Sequence, residues 1–414
     1  MQSKLESQWI LILFLLLLIG CSEQKIVDIT PNQFKGSDTE RIQAAVKKAS
    51  ETTGKVVIPA ANSNGTNIWL LDSAILLPSD IEVILENCTI QLSDSCRDNM
   101  FRSDNVGLGI TDPEWNRKIS IIGIGDVLLI GADNPRATGD GARTLVSENQ
   151  SGRVSYGSDA GKEGIKQKGD WRNIMILMAF VDGFKLKNVN IKNAHAWAVS
   201  FERTLNAEIS DITFDCPSSQ LVNGKEVFIR NRDGIDLRHG CKNFRINNVS
   251  GTTEDDFIAL STLGLHSENN VGGTFNSTMV TSTRWRGPED DTENIYITNI
   301  VCKSLTRAIA IRANDIASIN NVYINGIIFE GGFNAMLVGG KGYGKDSQPG
   351  KINNIHAMNI IGDGRSLILI EEAIADCSFI NGLYRGNEDK IITYNIDENK
   401  IKNVISQNLI KLNK

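Results

Sequence analysis

The sequence predicts an all-β fold, a parallel β-helix whose coils stack as a solenoid behind a short N-terminal capping helix. Three observations predict it: a repeated five-residue strand pattern, a second strand after most of these segments, and one amphipathic helix before the first strands. The spacing between repeats is irregular, which is typical of solenoid coils that carry loops of variable length. A β-sandwich is the alternative, and it would need hairpins between its strands.

The capping helix is predicted over residues 38–50. Ser37 or Asp38 can cap its N-terminus, and apolar residues at helical spacing form one face. A solenoid without such a cap would expose the edge and the core of its first coil. The apolar face consists of Ile42, Ala45, Val46 and Ala49, and the strands predicted to follow it are Val56–Pro59, Ile68–Leu71, Ile81–Leu85, Ile90–Leu92, Ile119–Ile122 and Val127–Ile130.

Five later segments share one pattern, with apolar residues at their third and fifth positions and mostly small or polar residues at their second and fourth. This alternation predicts strands with one buried face. The segments are WAVSF (197–201), DGIDL (233–237), DFIAL (256–260), RAIAI (307–311) and NAMLV (334–338).

A second strand follows most of these segments, and it contains an Asn-Val, Asn-Ile or Asp-Ile pair where the coil would turn. Asparagine tolerates the left-handed backbone conformation, and its amides can form a ladder when coils stack in register. The segments are FKLKNVNIKN (184–193), AEISDITFD (207–215), NFRINNVSG (243–251), NIYITNIVC (294–302), NVYINGIIF (321–329) and NIHAMNIIG (354–362).

Stacking brings aspartates together. Asp233 and Asp256 head equivalent strands, so they should lie about 4.8 Å apart on adjacent coils; Asp255 sits beside Asp256, and Asn231 lies two residues before Asp233. Carboxylates this close cannot all ionise, which separates an acid from a base, as glycoside hydrolysis requires. Purely structural turn aspartates, or a metal site, are the alternatives.

The N-terminus indicates export. Lys4 precedes an apolar run from Trp9 to Ile19 that is too short to span a membrane. Leu18-Ile19-Gly20-Cys21 resembles a bacterial lipobox, which implies a lipoprotein signal peptide over residues 1–20, lipidation of Cys21 and a lipid anchor in the cell envelope, on the outer membrane or the periplasmic face. An ordinary secretory signal is the alternative.

We expect residues 21–414 to form a single catalytic domain, a monomer without cofactor or metal. The net charge of −6 argues against a nucleic-acid partner. In an oxidising compartment Cys88 and Cys96, the one close pair, could form a disulfide; otherwise the cysteines are buried apolar residues.

Several motifs resemble glycoside hydrolase family 28, the polygalacturonases and rhamnogalacturonases. NRDGID (231–236) is similar to the family's NTDGID, EDD (254–256) to its GDD, and DDFIAL (255–260) to its DDCIAI. The resemblance covers residues 28–362, including the capping helix, and implies a pectin-lyase-like right-handed parallel β-helix. It further implies that Asp255 is the general acid, that Asp233 and Asp256 activate water with inversion, and that Asn231 supports substrate or acid.

The sequence departs from that family in two coils. Arg307 occupies the position of the histidine in the family's Gly-His-Gly motif, and Leu337-Val338-Gly339 replaces its Arg-Ile-Lys. Basic groups stand nearby instead: Arg307 and Arg312 one coil earlier, and Lys341 just after the strand. Because an arginine can hold a carboxylate bidentately, these three residues are candidate substrate ligands.

Two further residues are candidates for contact with substrate. His195 lies in the coil before Asp233. Trp285 lies between two arginines in the insertion at 262–292, which follows the strand of the aspartate pair, and an aromatic ring beside cations suits an acidic sugar.

The sequence therefore predicts an inverting glycoside hydrolase acting on a pectic or related acidic polysaccharide or oligosaccharide. A lyase or epimerase on the same fold, with calcium on the aspartates, is one alternative. A non-catalytic carbohydrate-binding β-helix is the other.

Overall fold

The computed structural model describes residues 28–96, 98–110, 112–133, 153–155, 171–222, 224–262, 279–281, 285–313, 316–340, 348 and 350–412. The signal segment 1–20, Cys21 and Lys341 lie outside these residues. The described chain is mainly strand, and its longest helix lies at the N-terminal end.

The predicted capping helix is confirmed as α1 (Asp38–Ser50). The Ser37 hydroxyl accepts the Glu40 N–H, and the Glu40 carboxylate accepts the Ser37 N–H, so a capping box begins the helix. All four predicted apolar residues are fully buried. They pack against the first strands, β1 (Lys55–Pro59), β2 (Ile68–Leu71), β3 (Ile75–Leu77) and β4 (Ile81–Glu86).

The remaining strands, apart from β9, β12 and β13, continue the solenoid. Those before the aspartates are β5 (Thr89–Leu92), β6 (Phe101–Ser103), β7 (Asn116–Ile124), β8 (Leu128–Ile130), β9 (Arg153–Ser155), β10 (Ile176–Lys192), β11 (Val199–Cys216), β12 (Ser219–Val222) and β13 (Lys225–Arg230). The others are β14 (Ile235–Leu237), β15 (Lys242–Thr253), β16 (Ile258–Ser261), β17 (Thr292–Ser304), β18 (Arg307–Arg312), β19 (Ile319–Gly331), β20 (Asn334–Val338), β21 (Ile352–Gly362), β22 (Ser366–Ile370), β23 (Ile374–Tyr384), β24 (Ile392–Tyr394) and β25 (Ile401–Lys411). Four short 3₁₀ helices lie at Pro31–Gln33, Trp171–Asn173, Pro288–Asp290 and Glu398–Lys400 among the described residues.

These strands form a right-handed parallel β-helix, as predicted. A 22-stranded sheet joins them by parallel pairings from coil to coil. One feature was not predicted: β12 and β13 form an antiparallel hairpin, which pairs with β9 in a separate three-stranded sheet.

The predicted strand register is confirmed residue by residue. Each coil begins with one short strand, which we call its first leg. Along the solenoid the first legs are the first residues of β10 and β11 and then β14, β16, β18, β20, β22 and β24. The third residues of the five repeated segments stack directly on one another, and all are fully buried: Val199, Ile235, Ile258, Ile309 and Met336.

The predicted asparagine turns are also confirmed. Every described non-glycine residue with positive φ is asparagine or aspartate, apart from Lys118, Phe180 and Arg203. At one corner each amide donates to the Oδ1 of the residue one coil earlier, over 2.5–3.1 Å. We call this the asparagine ladder: Asn206, Asn243, Asn294, Asn321 and Asn354.

The coils enclose one continuous apolar core that runs from α1 to β23. The six cysteines from Cys88 to Cys377 are buried and free, so the suggested bond between Cys88 and Cys96 is not formed. They act as small apolar residues, the other expectation.

Candidate active site

The first residues of the five repeated segments form one column on the outside of the first leg, which we call the head column: Trp197, Asp233, Asp256, Arg307 and Asn334. Backbone bonds fix the register, since Gly234 N–H donates to the Asp256 carbonyl at 3.0 Å and Phe257 N–H to the Arg307 carbonyl at 2.9 Å. Asp233, Asp256 and Arg307 therefore lie on successive coils, as stacking predicted.

The structure brings the three predicted aspartates together. Asp233, Asp255 and Asp256 each have a carboxylate oxygen within 4.8 Å of the others. Asp233 and Asp256 are 6 % and 1 % exposed, whereas the Asp255 side chain is 28 % exposed. Asp255 is thus the carboxylate most open to an incoming molecule.

Asp256 is held ionised by two arginines. Arg307 Nη1 lies 2.9 Å from Oδ1, and Arg312 Nη2 lies 2.7 Å from Oδ2. Burial alone would raise the pKa of Asp256, but Arg312 and Arg307 outweigh burial and hold this pKa below its ordinary value. Asp256 is therefore a carboxylate at neutral pH, with both oxygens engaged.

The pKa of Asp255 is shifted in the opposite direction to that of Asp256. Its Oδ1 accepts the Thr306 hydroxyl at 3.0 Å and the Asp256 N–H at 3.0 Å. Burial, and then the charge of Asp256, nevertheless raise the pKa of Asp255. The pKa values of two adjacent residues of one sequence pair are thereby shifted in opposite directions.

Asp233 retains a proton most strongly among the three. Burial raises its pKa well above the ordinary value, and the charges of Asp236, Asp255 and Asp256 add to the effect. Its Oδ1 is buried without a hydrogen-bond partner. Such an oxygen faces a space that a polar ligand or a water molecule can fill.

Asp236 is a fourth carboxylate, which sequence reasoning missed. It is 3 % exposed and its Oδ2 has no hydrogen-bond partner, and burial raises its pKa well above the ordinary value. A signal was present: Asp236 stacks on Ser200 and Ala259, small residues at the same outward-facing position.

Arg232, between Asn231 and Asp233, was also missed. Its buried guanidinium donates to the carbonyls of Ala194 and Pro217, both at 2.8 Å, and to the Gln220 side chain. These bonds tie the turn before β14 to the preceding coil and so position the head of that strand.

The predicted substrate ligands fall in different places. Arg307 and Arg312 both contact Asp256. Asn231 is half-buried with a left-handed backbone (φ 59°), next to Asp233. Trp285 is 45 % exposed. His195 is buried, and its Nε2 accepts the Ala132 N–H at 2.8 Å, a placement that favours packing over contact with substrate.

Part of the insertion after β16 covers the neighbouring coils on the N-terminal side. The buried Glu202 carboxylate accepts the N–H groups of Val280 and Thr281 at 2.9 and 3.0 Å, and the Thr281 hydroxyl at 2.6 Å. Arg203 pairs with Asp290 through two bonds, of 2.7 and 3.0 Å. Val280, Thr281 and Asp290 are therefore fixed to the solenoid.

Val280 completes a small apolar cluster outside the first leg. With Trp171 and Ile174 it covers Leu177 and Ala179, outward-facing residues of β10 that are fully buried. We call Trp171, Ile174, Val280 and Thr281 the roof. The roof covers the outer face of β10 and β11 only at their first residues, on the first leg directly beside the coil of Asp233.

The arrangement combines an acid, a base and a buried polar space. The three aspartates are close enough to share a cation, but Arg307 and Arg312 already neutralise Asp256, and their positive charges oppose a cation there. General acid–base chemistry by the carboxylates themselves fits these contacts better.

No helix in the described part of the chain is both long and apolar enough to cross a membrane.

Comparisons with known proteins agree on the fold. The model of the family described as "Glycosyl hydrolases family 28" matches residues 114–361. A polygalacturonase from Erwinia carotovora ssp. carotovora has 15 % identity and a TM-score of 0.53, covering 94 % of this chain and 100 % of that one. An endo-xylogalacturonan hydrolase from Aspergillus tubingensis has 13 % identity and a TM-score of 0.53, covering 93 % and 92 %.

A surface adhesin of Streptococcus pneumoniae is also similar, with 12 % identity, a TM-score of 0.53 and coverage of 92 % of this chain and 83 % of that one. No curated protein sequence matches. Because an adhesin and hydrolases share these coils, structural likeness at such identities establishes the fold, and the activity must be argued from the site.

Proposed function

The chain belongs to glycosyl hydrolases family 28, and from this premise we propose that it is an inverting hydrolase of glycosidic bonds in a pectic or related acidic polysaccharide. In this proposal Asp255 protonates the leaving oxygen, while Asp256 and Asp233 hold the attacking water and Asp256, the ionised one of these two, accepts its proton.

One observation carries the proposal: Asp255 and Asp256 are adjacent, yet their pKa values are shifted in opposite directions. A glycosidase needs one protonated and one ionised carboxyl group at the same bond. Asp255 is also the more exposed of the pair, so its proton can reach a glycosidic oxygen.

The separation of the carboxyl groups does not by itself favour inversion, because each of the three aspartates has an oxygen within 4.8 Å of the others. Inverting enzymes usually separate their carboxyl groups by about 6.5–9.5 Å, and retaining enzymes by about 5–5.5 Å. Inversion is favoured here because both oxygens of Asp256 accept from arginines. A carboxylate held in this way is a poor nucleophile but can still orient a water molecule.

An acidic substrate is favoured by the cations at the site. Arg307 keeps 19 % of its side chain exposed while it pairs with Asp256, so it can contact the carboxylate of a sugar as well. Trp285, exposed in the insertion, offers an aromatic surface.

Product analysis tests the proposal. Purified protein is incubated with polygalacturonate and other acidic polysaccharides, and the products are followed by reducing-end assay, ultraviolet absorbance and NMR. We expect new reducing ends with inverted anomeric configuration and no unsaturated product. A retained anomer would make one aspartate a nucleophile; an absorbing product would indicate a lyase; no product would favour the non-catalytic reading.

The proposed location is the cell envelope, with the mature chain anchored through a lipidated Cys21. The support is the lipobox-like sequence before Cys21. Expression with labelled palmitate should label the wild type and leave Cys21→Ser unlabelled; equal labelling would remove the anchor.

A further inference from the structure

A second column runs along the first leg, one residue before the head column, and it contains the proposed acid. We call it the acid column: Arg232, Asp255, Thr306, Phe333 and Arg365. Backbone bonds fix it, since Asp255 N–H lies 3.2 Å from the Arg232 carbonyl, Phe333 N–H 3.0 Å from the Thr306 carbonyl, and Arg365 N–H 2.7 Å from the Phe333 carbonyl. With coils about 4.8 Å apart, Phe333 and Arg365 lie about 10 and 14 Å from Asp255 along this line.

Phe333 lies between two guanidinium groups. The Arg365 Cζ is 4.5 Å from the Phe333 ring centroid, and the Arg307 Cζ is 5.6 Å from it. Stacking of a guanidinium on an aromatic ring restricts its orientation and leaves its N–H edge free to bind another group. Phe333 therefore links the arginine at the aspartates to a second arginine further along the solenoid.

Arg365 differs from Arg307 in having no acidic partner. Its side chain is exposed, and among the residues that the structure describes none forms an ion pair with it. Arg307 and Arg312 are both committed to Asp256. Arg365 is thus an uncompensated cation on the line of the proposed acid.

The opposite direction along the solenoid is closed. On the first leg the roof covers the outer face of the first residues of β10 and β11, beginning one coil from Asp233, and the buried bonds of Glu202 and Arg203 to Val280 and Thr281 hold it there. One coil is about 4.8 Å, which leaves little length for sugar on that side. A bound chain with a glycosidic oxygen at Asp255 must extend toward Phe333 and Arg365.

We propose that Arg365, positioned by Phe333, binds the carboxylate of a sugar unit that lies two to three coils from the scissile bond, on the C-terminal side of Asp255. A planar guanidinium can bind a carboxylate through two parallel hydrogen bonds. The site selects acidic over neutral or esterified sugar at that position. This inference rests on the proposed function for the orientation of the chain, and it names the side on which the substrate extends.

Binding is measured by calorimetry in an Asp255→Asn background, with trigalacturonate and its methyl ester as probes. Arg365→Ala should weaken binding of the acid about 10- to 100-fold, the usual value of a charged hydrogen-bonded contact, and should leave binding of the ester unchanged. Arg365→Lys should recover part of the loss. Phe333→Leu keeps apolar volume but removes the stacked ring, and it should weaken binding of the acid less than Arg365→Ala does.

Arg245→Ala is the matched control, because Arg245 is also an exposed arginine without an ion pair among the described residues, but on another leg of the solenoid. An equal loss in Arg245→Ala, or unchanged affinity in Arg365→Ala, would overturn the site. Kinetics separate this outcome from failure of the proposed function. If the wild type hydrolyses polygalacturonate and Arg365→Ala has the same KM, the hydrolase stands and the site falls. If Arg365 governs binding of the acid but no hydrolysis occurs, the site stands and the hydrolase falls.

Discussion

The asparagine ladder and the head column are built by the same stacking, yet they differ in one respect. The ladder repeats one residue type on successive coils, and each amide bonds to its neighbour over 2.5–3.1 Å. The head column changes in character along the solenoid, from Trp197 through two aspartates, Asp233 and Asp256, to Arg307 and then Asn334.

The asparagine ladder stabilises the fold, whereas the head column carries the charged groups of the candidate active site. Identical amides satisfy one another and keep a left-handed corner in register. Like-charged aspartates on adjacent coils repel one another, so their pKa values rise unless cations intervene, as Arg307 and Arg312 do at Asp256. Changes in the ladder should therefore affect stability, and changes beside the head column should affect turnover.

The largest effect is expected for Asp255→Asn. Because the amide cannot supply the proton for the leaving group, the rate on acidic polysaccharide should fall by about 10²–10⁴-fold. Thermal unfolding should change little, since Asp255 is the most exposed of the three aspartates. Near-wild-type turnover would contradict the assignment of Asp255 as the acid.

A smaller effect is expected for Arg307→Ala, and it should depend on pH. Arg307 lowers the pKa of both Asp256 and Asp255, so its removal raises both. The base then ionises at higher pH and the acid keeps its proton to higher pH, which moves both limbs of the pH–rate profile upward.

Measurements on esterified polysaccharide distinguish a contact of Arg307 with the substrate from its effect on the pKa values of the aspartates. If Arg307 also binds a sugar carboxylate, KM should rise on the acidic polymer only. A shifted profile with the same KM on both polymers would limit Arg307 to tuning the aspartates.

A change in the ladder should act on stability alone. Asn294 has φ 60° and bonds to Asn243 and Asn321. Asn294→Ala loses these bonds and replaces a residue that tolerates the left-handed conformation with one that tolerates it poorly, which should lower the free energy of unfolding by about 1–2 kcal/mol. Asn294→Gly loses the bonds but tolerates the backbone, so it should cost less.

Denaturant unfolding and turnover of both Asn294 variants test the separation. Equal stability of the alanine and glycine variants would mean that the left-handed backbone contributes nothing. A fall in specific activity of the folded variants would contradict the division between ladder and head column.

The smallest effect is expected for Thr306→Val. The Thr306 hydroxyl lies 3.0 Å from Asp255 Oδ1 and 3.1 Å from Asp256 Oδ1, and it lowers the pKa of both carboxyls. Valine keeps the shape, so turnover should change only a few-fold, with the pH–rate profile shifted slightly upward. A loss as large as that of Asp255→Asn would indicate a direct part in the reaction.

The repeat made much of the fold predictable. Two alternating strands per coil, with asparagine where the backbone turns left-handed, determined the coil and the register, because these depend on local periodicity and on stacking of like positions. The capping helix was determined separately, by its N-cap and its apolar face at helical spacing. The hairpin of β12 and β13 was not predicted, because it lies in a loop outside the repeat and pairs with β9, about 70 residues earlier.

The sequence by itself also determined that Asp233, Asp255 and Asp256 meet, since a one-residue change of register would move every buried side chain to the other face. Only the tertiary structure decided which carboxyl group has a lowered pKa and which have raised ones. Arg312 is the last residue of β18, one coil after Asp256, yet its guanidinium reaches Oδ2 of Asp256. Val280 and Thr281, the roof residues from the later insertion, contact coils that precede them by about 80–100 residues. The protonation states and the open direction of the groove depend on burial and on charges from distant coils, which no local pattern records.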